Sequence, residues 1–255
     1  MNLLTSANSG YMDFAKIFFK SLKKISDYHQ INTIFVIDNG LSKNEKAEIR
    51  SMSDKVHFRD ASLVDGRSNT KSTKVHSEEW KSVIQTKTKM FSYLLNRNHA
   101  PLIFVDLDCY FRSNFLHLVD TSANLILCKR KKPEINEAGY SLTHIGSFFG
   151  VGKVNAEVKK FINTWSADMK KILKGPMETP ALCELLRRYN GNLNMCNVSE
   201  ELVSWFSKHP DAEKFNKCSI VHLKSSGPNK KVSSVDARVE RLSHYIDVTK
   251  LLNDQ

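Results

Sequence analysis

The stretch LIFVDLDCYF, at residues 102–111, is the most apolar strand-like run in this chain of 255 residues. A continuous apolar run predicts a strand that is buried on both faces, as in a parallel sheet covered by helices. Two carboxylates, Asp106 and Asp108, stand one residue apart near its end. In open α/β sheets, ligands bind at the carboxyl ends of the strands, so this pair lies where a binding site is expected.

The spacing of Asp106 and Asp108 points both side chains to the same side of an extended strand. Two carboxylates that share one side repel each other unless a cation lies between them, and oxygen ligands favour Mg²⁺ or Mn²⁺. The alternative is an ordinary strand exit whose aspartates cap the following turn. The apolar residues before the pair favour the metal site, because uncompensated charge beside them is costly.

Strand-like and helical segments alternate on both sides of this run. The predicted strands are residues 1–6, 31–37, 56–60, 102–111, 125–128, 147–151 and 219–223. The predicted helices are residues 13–25, 43–51, 78–96, 153–173, 179–189 and 235–252. Polar stretches at residues 65–76 and 129–138 are predicted loops. The alternation predicts one α/β domain with a mainly parallel central sheet covered by helices.

Lysine and arginine (38) exceed aspartate and glutamate (27), which gives a net charge of +11 and indicates an anionic partner. Nucleic acid, phosphorylated donors and acidic membranes all fit the charge. The sequence shows neither a long apolar span nor a signal peptide, and its five cysteines are scattered. We therefore expect reduced thiols and a cytoplasmic location, with peripheral contact at the inner face of a membrane through basic residues 129–132 as a further option.

Two other positions, His222 and Lys87, have side chains that can contact a metal or an anion. His222 lies in the late strand, and a basic turn with Lys224, Gly227 and Lys230 follows. The imidazole can complete a metal site and suits Mn²⁺ somewhat better than Mg²⁺. The alternative, which these residues alone favour, is a buried structural histidine before a solvated loop.

Lys87 lies on a helical stripe with apolar residues at offsets of four, three and seven, namely Val83, Met90 and Leu94. A side chain on that stripe should point toward the sheet. Lys87 then meets an anion such as a phosphate, or extends its ammonium group to the edge of the apolar surface.

Taken in order, these motifs resemble the GT-A nucleotide-diphospho-sugar transferases, most closely the glycogenin-like and bacterial galactosyl- and glucosyltransferase-like branch. The resemblance rests on the opening TSANS, Asp38, Lys87, the Asp-x-Asp pair, GSFFG at residues 146–150 and His222. Two segments depart from the family pattern. METPAL at residues 177–182 replaces an Asp-Gln signature, and PNKK at residues 228–231 replaces Lys-Pro-Trp.

The resemblance implies roles for individual residues. Asp106 and Asp108 would bind the metal and the donor, with His222 as the third protein ligand. The other implied donor-binding residues are Thr5, Ser6, Asn8 and Asp38 around the base and ribose, and Lys87, Lys224, Gly227 and Lys230 at the diphosphate. Glu178 would position the acceptor or act as a base, unless it is only a helix N-terminal acid. Asp38 is equally consistent with a simple turn residue.

The implied function is metal-dependent transfer of a sugar from a nucleotide-diphosphate sugar, UDP-linked by preference, with the anomeric configuration retained. The acceptor would be a glycan or lipid-linked hydroxyl, and the net charge of +11 is compatible with an anionic one. We expect a single domain over residues 1–255, with residues 1–111 binding the donor and residues 112–255 the acceptor. The alternatives are a haloacid-dehalogenase-like phosphatase with an aspartate nucleophile and a basic nucleic-acid-binding module. No aromatic-basic motif supports the latter, so no nucleic acid is expected.

Overall fold

A computed structural model gives the fold and describes residues 1–64, 78–172, 177–205, 212–223 and 235–253. Its centre is a seven-stranded sheet in the order β3-β2-β1-β4-β7-β6-β8. These strands are β1 (Asn2–Ala7), β2 (Thr33–Asp38), β3 (Val56–Asp60), β4 (Leu102–Val105), β6 (Leu125–Ile135), β7 (Ser141–Val151) and β8 (Met195–Ser199). A smaller sheet in the order β5-β10-β9 contains β5 (Cys109–Phe111), β9 (Val203–Trp205) and β10 (Ile220–His222).

Helices cover both faces of the large sheet. They are α1 (Met12–Lys24), α2 (Lys43–Met52), α3 (Glu78–Leu95), α4 (Ala156–Met169), α5 (Glu178–Arg188), α6 (Ala212–Lys217), α7 (Val235–Ser243) and α8 (Val248–Asn253). Strand alternation divides the core into two layers. Ile103 and Val105 of β4 pack in the layer that contains α1 and α2, whereas Leu102 and Phe104 pack in the layer that contains α3, α4 and α5.

The strands β3, β2, β1 and β4 are all parallel, and β6 is parallel to β8. The strand β7 is antiparallel to both β4 and β6. The predicted α/β class with a mainly parallel sheet covered by helices is therefore confirmed. The antiparallel β7 matters for the site, because it brings residues from the second half of the chain beside the end of β4.

The predicted strand over residues 102–111 is wrong in one respect, because it is two strands in different sheets. The strand β4 ends at Val105, and β5 begins at Cys109. The backbone changes partner between them: the Asp106 N–H donates to the Ser147 carbonyl (3.1 Å), and the Asp108 carbonyl accepts from the Leu223 N–H (2.7 Å). Both aspartates therefore lie in a connection rather than along one strand.

The predicted basic loop at residues 129–138 is wrong over most of its length, since β6 continues to Ile135. Its neighbours on both sides hold it extended: Lys129 pairs with Ser199 of β8, and Glu134 pairs with Leu142 of β7. Lysines and a proline suggested a loop, but a strand whose side chains face solvent tolerates such residues. Strands β8 and β9 were not predicted.

The predicted C-terminal helix over residues 235–252 is two helices, α7 and α8. The Asp247 carboxylate accepts from the Lys250 N–H (2.8 Å) at the start of α8, so the aspartate caps a new helix rather than continuing the old one. The predicted loop at residues 65–76 and the end of the predicted helix 153–173 lie outside the described residues. Among the helices that the structure describes, none is both long and apolar enough to cross a membrane.

Candidate active site at the end of β4

The cluster of Asp106, Asp108 and His222 lies where the two sheets meet. Register within the small sheet places His222 opposite Cys109, directly after the Asp-x-Asp pair. The His222 Nε2 atom lies 3.1 Å from Asp108 Oδ1 and 3.8 Å from Asp106 Oδ2. One ligand atom from each of the three side chains falls within 4.8 Å of the others. Two carboxylates and one imidazole form a donor set that fits Mn²⁺, so the residues present suit the implied cation.

Lys87 of α3 joins Asp106 to the start of α5. Its Nζ donates to the Gly146 carbonyl (3.0 Å), to Asp106 Oδ1 (3.3 Å) and to the Glu178 carboxylate. The same ammonium lies 3.6 Å from the centre of the Phe104 ring. The side chain is buried and points toward the sheet, as the helical stripe predicted. The anions that it meets in this structure are carboxylates of the chain itself.

Burial and charge act in opposite directions on this group of residues. Burial lowers the pKa of Lys87, but Asp106 and Glu178 outweigh it and hold that pKa above its usual value. Burial raises the pKa of Glu178 to about 7, while Lys87 opposes the rise and Asp106 adds to it. A buried carboxylate beside another carboxylate is expected to behave in this way.

Asp108 has a different environment. Its Oδ2 accepts from Arg238 Nη1 at 2.6 Å, and its Oδ1 faces His222. Burial would raise the pKa of Asp108, but His222 and Arg238 outweigh it and hold that pKa well below its usual value. Asp108 is therefore an ionised carboxylate with a cationic partner already in place.

Glu178 is the first residue of α5, and its backbone carbonyl is bound by a side chain of the neighbouring helix α4. Trp165 Nε1 of α4 donates to the Glu178 carbonyl (3.0 Å). The neighbouring β7 has glycine at position 146, where a Cβ would lie 2.5 Å from Thr179 Oγ1 and 3.1 Å from Glu178 Oε1, so any larger residue would displace these side chains. The close approach of β7 and α5 thus holds the Glu178 carboxylate against Lys87.

Three of the residues predicted to bind the base and ribose lie at the end of β1. Thr5 is fully buried, and its hydroxyl has no hydrogen-bond partner among the described residues. Ser6 accepts from Asn39 Nδ2 (2.7 Å). The Asn8 side chain accepts from the Gly10 N–H (3.0 Å) and caps a short 3-10 helix.

Asp38 ends the neighbouring strand β2, and its carboxylate is already engaged. It accepts from the N–H groups of Gly40 (3.0 Å) and Leu41 (2.8 Å) and pairs with Lys46. The interpretation of Asp38 as a turn residue accounts for all of these contacts. Its predicted contact with the donor stays a prediction.

Sequence reasoning missed two residues of this region. Asn39 lies beside Ser6 and has a buried Oδ1 without a partner among the described residues. Arg238 lies on α7 four residues before the fully buried Leu242, so the stripe argument that identified Lys87 would also have identified it. The predicted diphosphate-binding residues Lys224, Gly227 and Lys230 lie outside the described residues.

Several solved glycosyltransferase structures match the fold of this chain. The galactosyltransferase LgtC, in complex with donor and acceptor sugar analogues, matches with a TM-score of 0.60 and 13% identity over 99% of this chain and 95% of that one. The bifunctional glycosyltransferase WbbM matches with a TM-score of 0.57 and 12% identity over 100% of this chain and 51% of that one. A glycosyltransferase involved in glycosylating the major capsid of PBCV-1 matches with a TM-score of 0.55 and 10% identity, over 95% and 97%. The chain therefore has the GT-A fold.

A family model described as nucleotide-diphospho-sugar transferase matches residues 45–233 of this chain. That segment includes β4, the Asp-x-Asp pair, Lys87, Glu178 and His222, and it ends before Arg238. No curated protein sequence matches the chain. Neither the phosphatase nor the nucleic-acid-binding alternative is favoured by these matches.

Proposed function

Because this chain belongs to the nucleotide-diphospho-sugar transferase family, we propose that it is a metal-dependent glycosyltransferase that uses a UDP-linked sugar. The acceptor in this proposal is a hydroxyl of a glycan or of a lipid-linked sugar. Family membership supports the nucleotide-sugar donor. The metal dependence, the base and the acceptor are the proposed parts.

The observation that carries the proposal is the convergence of Asp106, Asp108 and His222 at the carboxyl end of β4. Two chain segments that are distant in sequence, the connection after β4 and the strand β10, bring these side chains to one place. Two carboxylates and an imidazole there would hold Mn²⁺ or Mg²⁺. When bound, such a cation would act as a Lewis acid that stabilises the negative charge developing on the departing diphosphate.

The chain's own residues have separate roles in this proposal. The Lys87 ammonium is held by the Gly146 carbonyl and two carboxylates, and it adds a fixed positive charge beside Asp106. A positive charge fixed before the reaction stabilises a leaving diphosphate without reorganisation. Thr5, Ser6 and Asn8 at the end of β1 would contact the base and ribose.

Glu178 is the proposed acceptor-side carboxylate. Its contact with Lys87 and its raised pKa, about 7, allow it to orient an acceptor hydroxyl or to exchange a proton with it near neutral pH. Retention of the anomeric configuration is part of the proposal and rests on the family resemblance. Lys224, Gly227 and Lys230 are proposed contacts of the diphosphate on the same basis.

The remaining proposals concern the surroundings of the enzyme. The exposed basic side chains of β6, such as Lys129 and Lys132, would contact an anionic acceptor or the inner face of an acidic membrane. All five cysteines are free thiols, which agrees with the proposed cytoplasmic location.

A thermal-shift panel with UDP, GDP and CDP, each with and without Mn²⁺, tests the donor site. We expect stabilisation by UDP that requires Mn²⁺. At a concentration one hundred times Kd, a ligand stabilises by about 2.7 kcal/mol, which corresponds to about 5–10 °C in a protein of this size. A variant carrying both Asp106→Ala and Asp108→Ala should lose the shift.

The matched control is Glu137→Ala, which removes an exposed acid from the turn between β6 and β7. It should keep the full shift with UDP and Mn²⁺. A transfer assay with UDP-sugars then identifies the sugar. Absence of a shift with every nucleotide, or an equal shift in the double variant, would contradict the proposal.

A further inference from the structure

Arg238 lies at the metal cluster although it comes from α7, beyond the segment that the family model matches. Its Nη1 donates to Asp108 Oδ2 (2.6 Å) and to the Leu223 carbonyl (3.1 Å). Its guanidinium carbon lies 4.3 Å from the centre of the Phe14 ring and 5.6 Å from that of Tyr11. The C-terminal part of the chain is thereby tied to the first helix and to the Asp-x-Asp pair.

This ion pair is a buried part of the fold. The side chain of Arg238 is 6% exposed and that of Asp108 is 14% exposed, whereas an exposed pair would be screened by solvent. A guanidinium stacked on aromatic rings and bonded to a carbonyl has a fixed position. The Asp108 oxygen that it occupies is one that a cation would otherwise be able to use.

Each aspartate of the cluster already has a cationic partner without any metal. Lys87 Nζ lies 3.3 Å from Asp106 Oδ1 and is shared with Glu178, and Arg238 Nη1 lies 2.6 Å from Asp108 Oδ2. A divalent cation that arrives alone therefore meets two aspartates that are already paired, and it is repelled by two fixed cations. A diphosphate brings further negative charge, so the cation and the diphosphate should bind more strongly together than separately.

We propose that Arg238, by occupying one oxygen of Asp108, makes binding of the divalent cation depend on the donor diphosphate. The inference rests on the proposed function, since it assumes that Asp106, Asp108 and His222 hold the cation. The cation alone is held weakly, and the cation with a diphosphate is held tightly. Arg238 acts through Asp108 and is a positioning residue rather than a catalytic one.

Binding of Mn²⁺ alone, followed by the electron paramagnetic resonance signal of the free ion, tests the proposal. The variants are Arg238→Gln, which removes the charge but keeps a hydrogen-bond donor, and Arg238→Lys, which keeps the charge. Arg241→Gln removes a positive charge from the same helix and is the matched control. We expect Arg238→Gln to bind Mn²⁺ at least about tenfold more tightly than the wild type, and the other two variants to stay within about twofold of it.

The wild-type protein gives a second test that does not depend on how the variants fold. Saturating UDP should increase its affinity for Mn²⁺ at least about tenfold, after correction for the Mn²⁺–UDP complex in solution. In a folded Arg238→Gln variant this increase should be smaller, because the cation already binds without the diphosphate.

Two kinds of failure can be told apart. If the wild type binds Mn²⁺ equally tightly with and without UDP, or if a folded Arg238→Gln variant binds it no more tightly than the wild type, the inference about Arg238 is overturned and the metal site stands. If none of the proteins binds Mn²⁺ even with UDP, the proposed function fails, and this inference fails with it.

Discussion

Asp106 and Asp108 lie one residue apart, yet their surroundings differ in exposure and in partners. The Asp106 side chain is 32% exposed and contacts Lys87, which also pairs with Glu178. The Asp108 side chain is 14% exposed and lies between His222 and Arg238. The first carboxylate therefore opens toward incoming ligands, whereas the second also binds Arg238 of the C-terminal helix α7.

Because of this difference, the contribution of the aspartates to sugar transfer can be separated from their contribution to folding stability. Loss of Asp106 leaves Lys87 with Glu178 and the Gly146 carbonyl as partners. Loss of Asp108 takes the carboxylate away from Arg238 and leaves it the Leu223 carbonyl and the rings of Tyr11 and Phe14. Both aspartates should matter for sugar transfer, but only Asp108 should matter strongly for folding.

The largest expected effect comes from comparing Asp108→Asn with Asp106→Asn. An unpaired buried cation costs about 3 kcal/mol, so Asp108→Asn should lower the melting temperature by about 6–12 °C. Asp106→Asn should cost about 1 kcal/mol, because its carboxylate is partly exposed. Each variant should lose at least about 100-fold in transfer rate. Differential scanning calorimetry and a transfer assay measure the two quantities.

Equal losses of stability in the two variants would show that the environments of Asp106 and Asp108 are energetically alike, against our interpretation. The double variant Asp108→Asn/Arg238→Met sharpens the test. It removes the unpaired charge and should recover part of the lost stability without recovering transfer.

The Lys87→Met variant tests the environment of Asp106 and Glu178 through the pH dependence of its stability. Removal of the ammonium leaves the Glu178 and Asp106 carboxylates without it, at a cost of about 3 kcal/mol near neutral pH. The pKa of Glu178, about 7, lies above its ordinary 4.5, so the buried carboxyl contributes fully to stability below pH 4.5, and this contribution is lost as pH rises through 7. Lys87 favours the ionised form, so its removal costs more stability where Glu178 is ionised than where it is protonated. The stability deficit should therefore be larger at pH 8 than at pH 5.

Urea unfolding at pH 5, 7 and 8 measures this deficit. Lys89→Met, which removes a partly exposed lysine two residues along the same helix, should show a small effect with little dependence on pH. A stability deficit of Lys87→Met that is constant across this pH range would mean that Lys87 does not stabilise the ionised form of Glu178.

The Gly146→Ala variant has a smaller expected effect, through packing. The added methyl group would lie 2.5 Å from Thr179 Oγ1 and 3.1 Å from Glu178 Oε1, so these two side chains at the start of α5 must move. We expect a loss of about 1–2 kcal/mol in stability, typical of overpacking, and a loss of about tenfold in transfer rate as Glu178 moves. Ser141→Ala, at an exposed position of the same strand, is the control. An unchanged rate would argue against a role for the α5 terminus.

The smallest effect is expected far from the aspartate pair. Asp168 of α4 pairs with Lys171 and Arg188, whose side chains are 71% and 48% exposed. Pairs with exposed partners contribute about 1 kcal/mol or less, so Asp168→Asn should lower the melting temperature by about 2–4 °C. Transfer activity per folded molecule should not change. A loss of activity would mean that α4 affects the site beyond its contact with α5.

Local sequence patterns predicted the parallel part of the sheet and the part of the site around Asp106 and Lys87. The apolar run before Asp106 and the helical stripe that contains Lys87 depend on neighbours in sequence, and the structure confirms the burial of both. The same stripe argument applies to Arg238 and Leu242, but the partner of Arg238 lies 130 residues away. Nothing local indicates which buried carboxylate an arginine meets.

The break between β4 and β5 also depends on distant residues. The backbone pairs with β7 before the Asp-x-Asp pair and with β10 after it, and the hydrogen bonds to Ser147 and Leu223 mark this change of partner. A sequence pattern cannot show that one apolar run serves two sheets. The placement of His222 beside Asp108 follows from this change of partner, so His222 could be assigned to the site only by family resemblance.

The most direct test of the central claim is a crystal structure of the protein with Mn²⁺ and UDP, with anomalous scattering measured at the manganese edge. We predict one anomalous peak that contacts Asp106, Asp108 and His222 and also the diphosphate. A diphosphate bound without a peak between these three side chains, or a peak at another place in the protein, would contradict the proposed metal site.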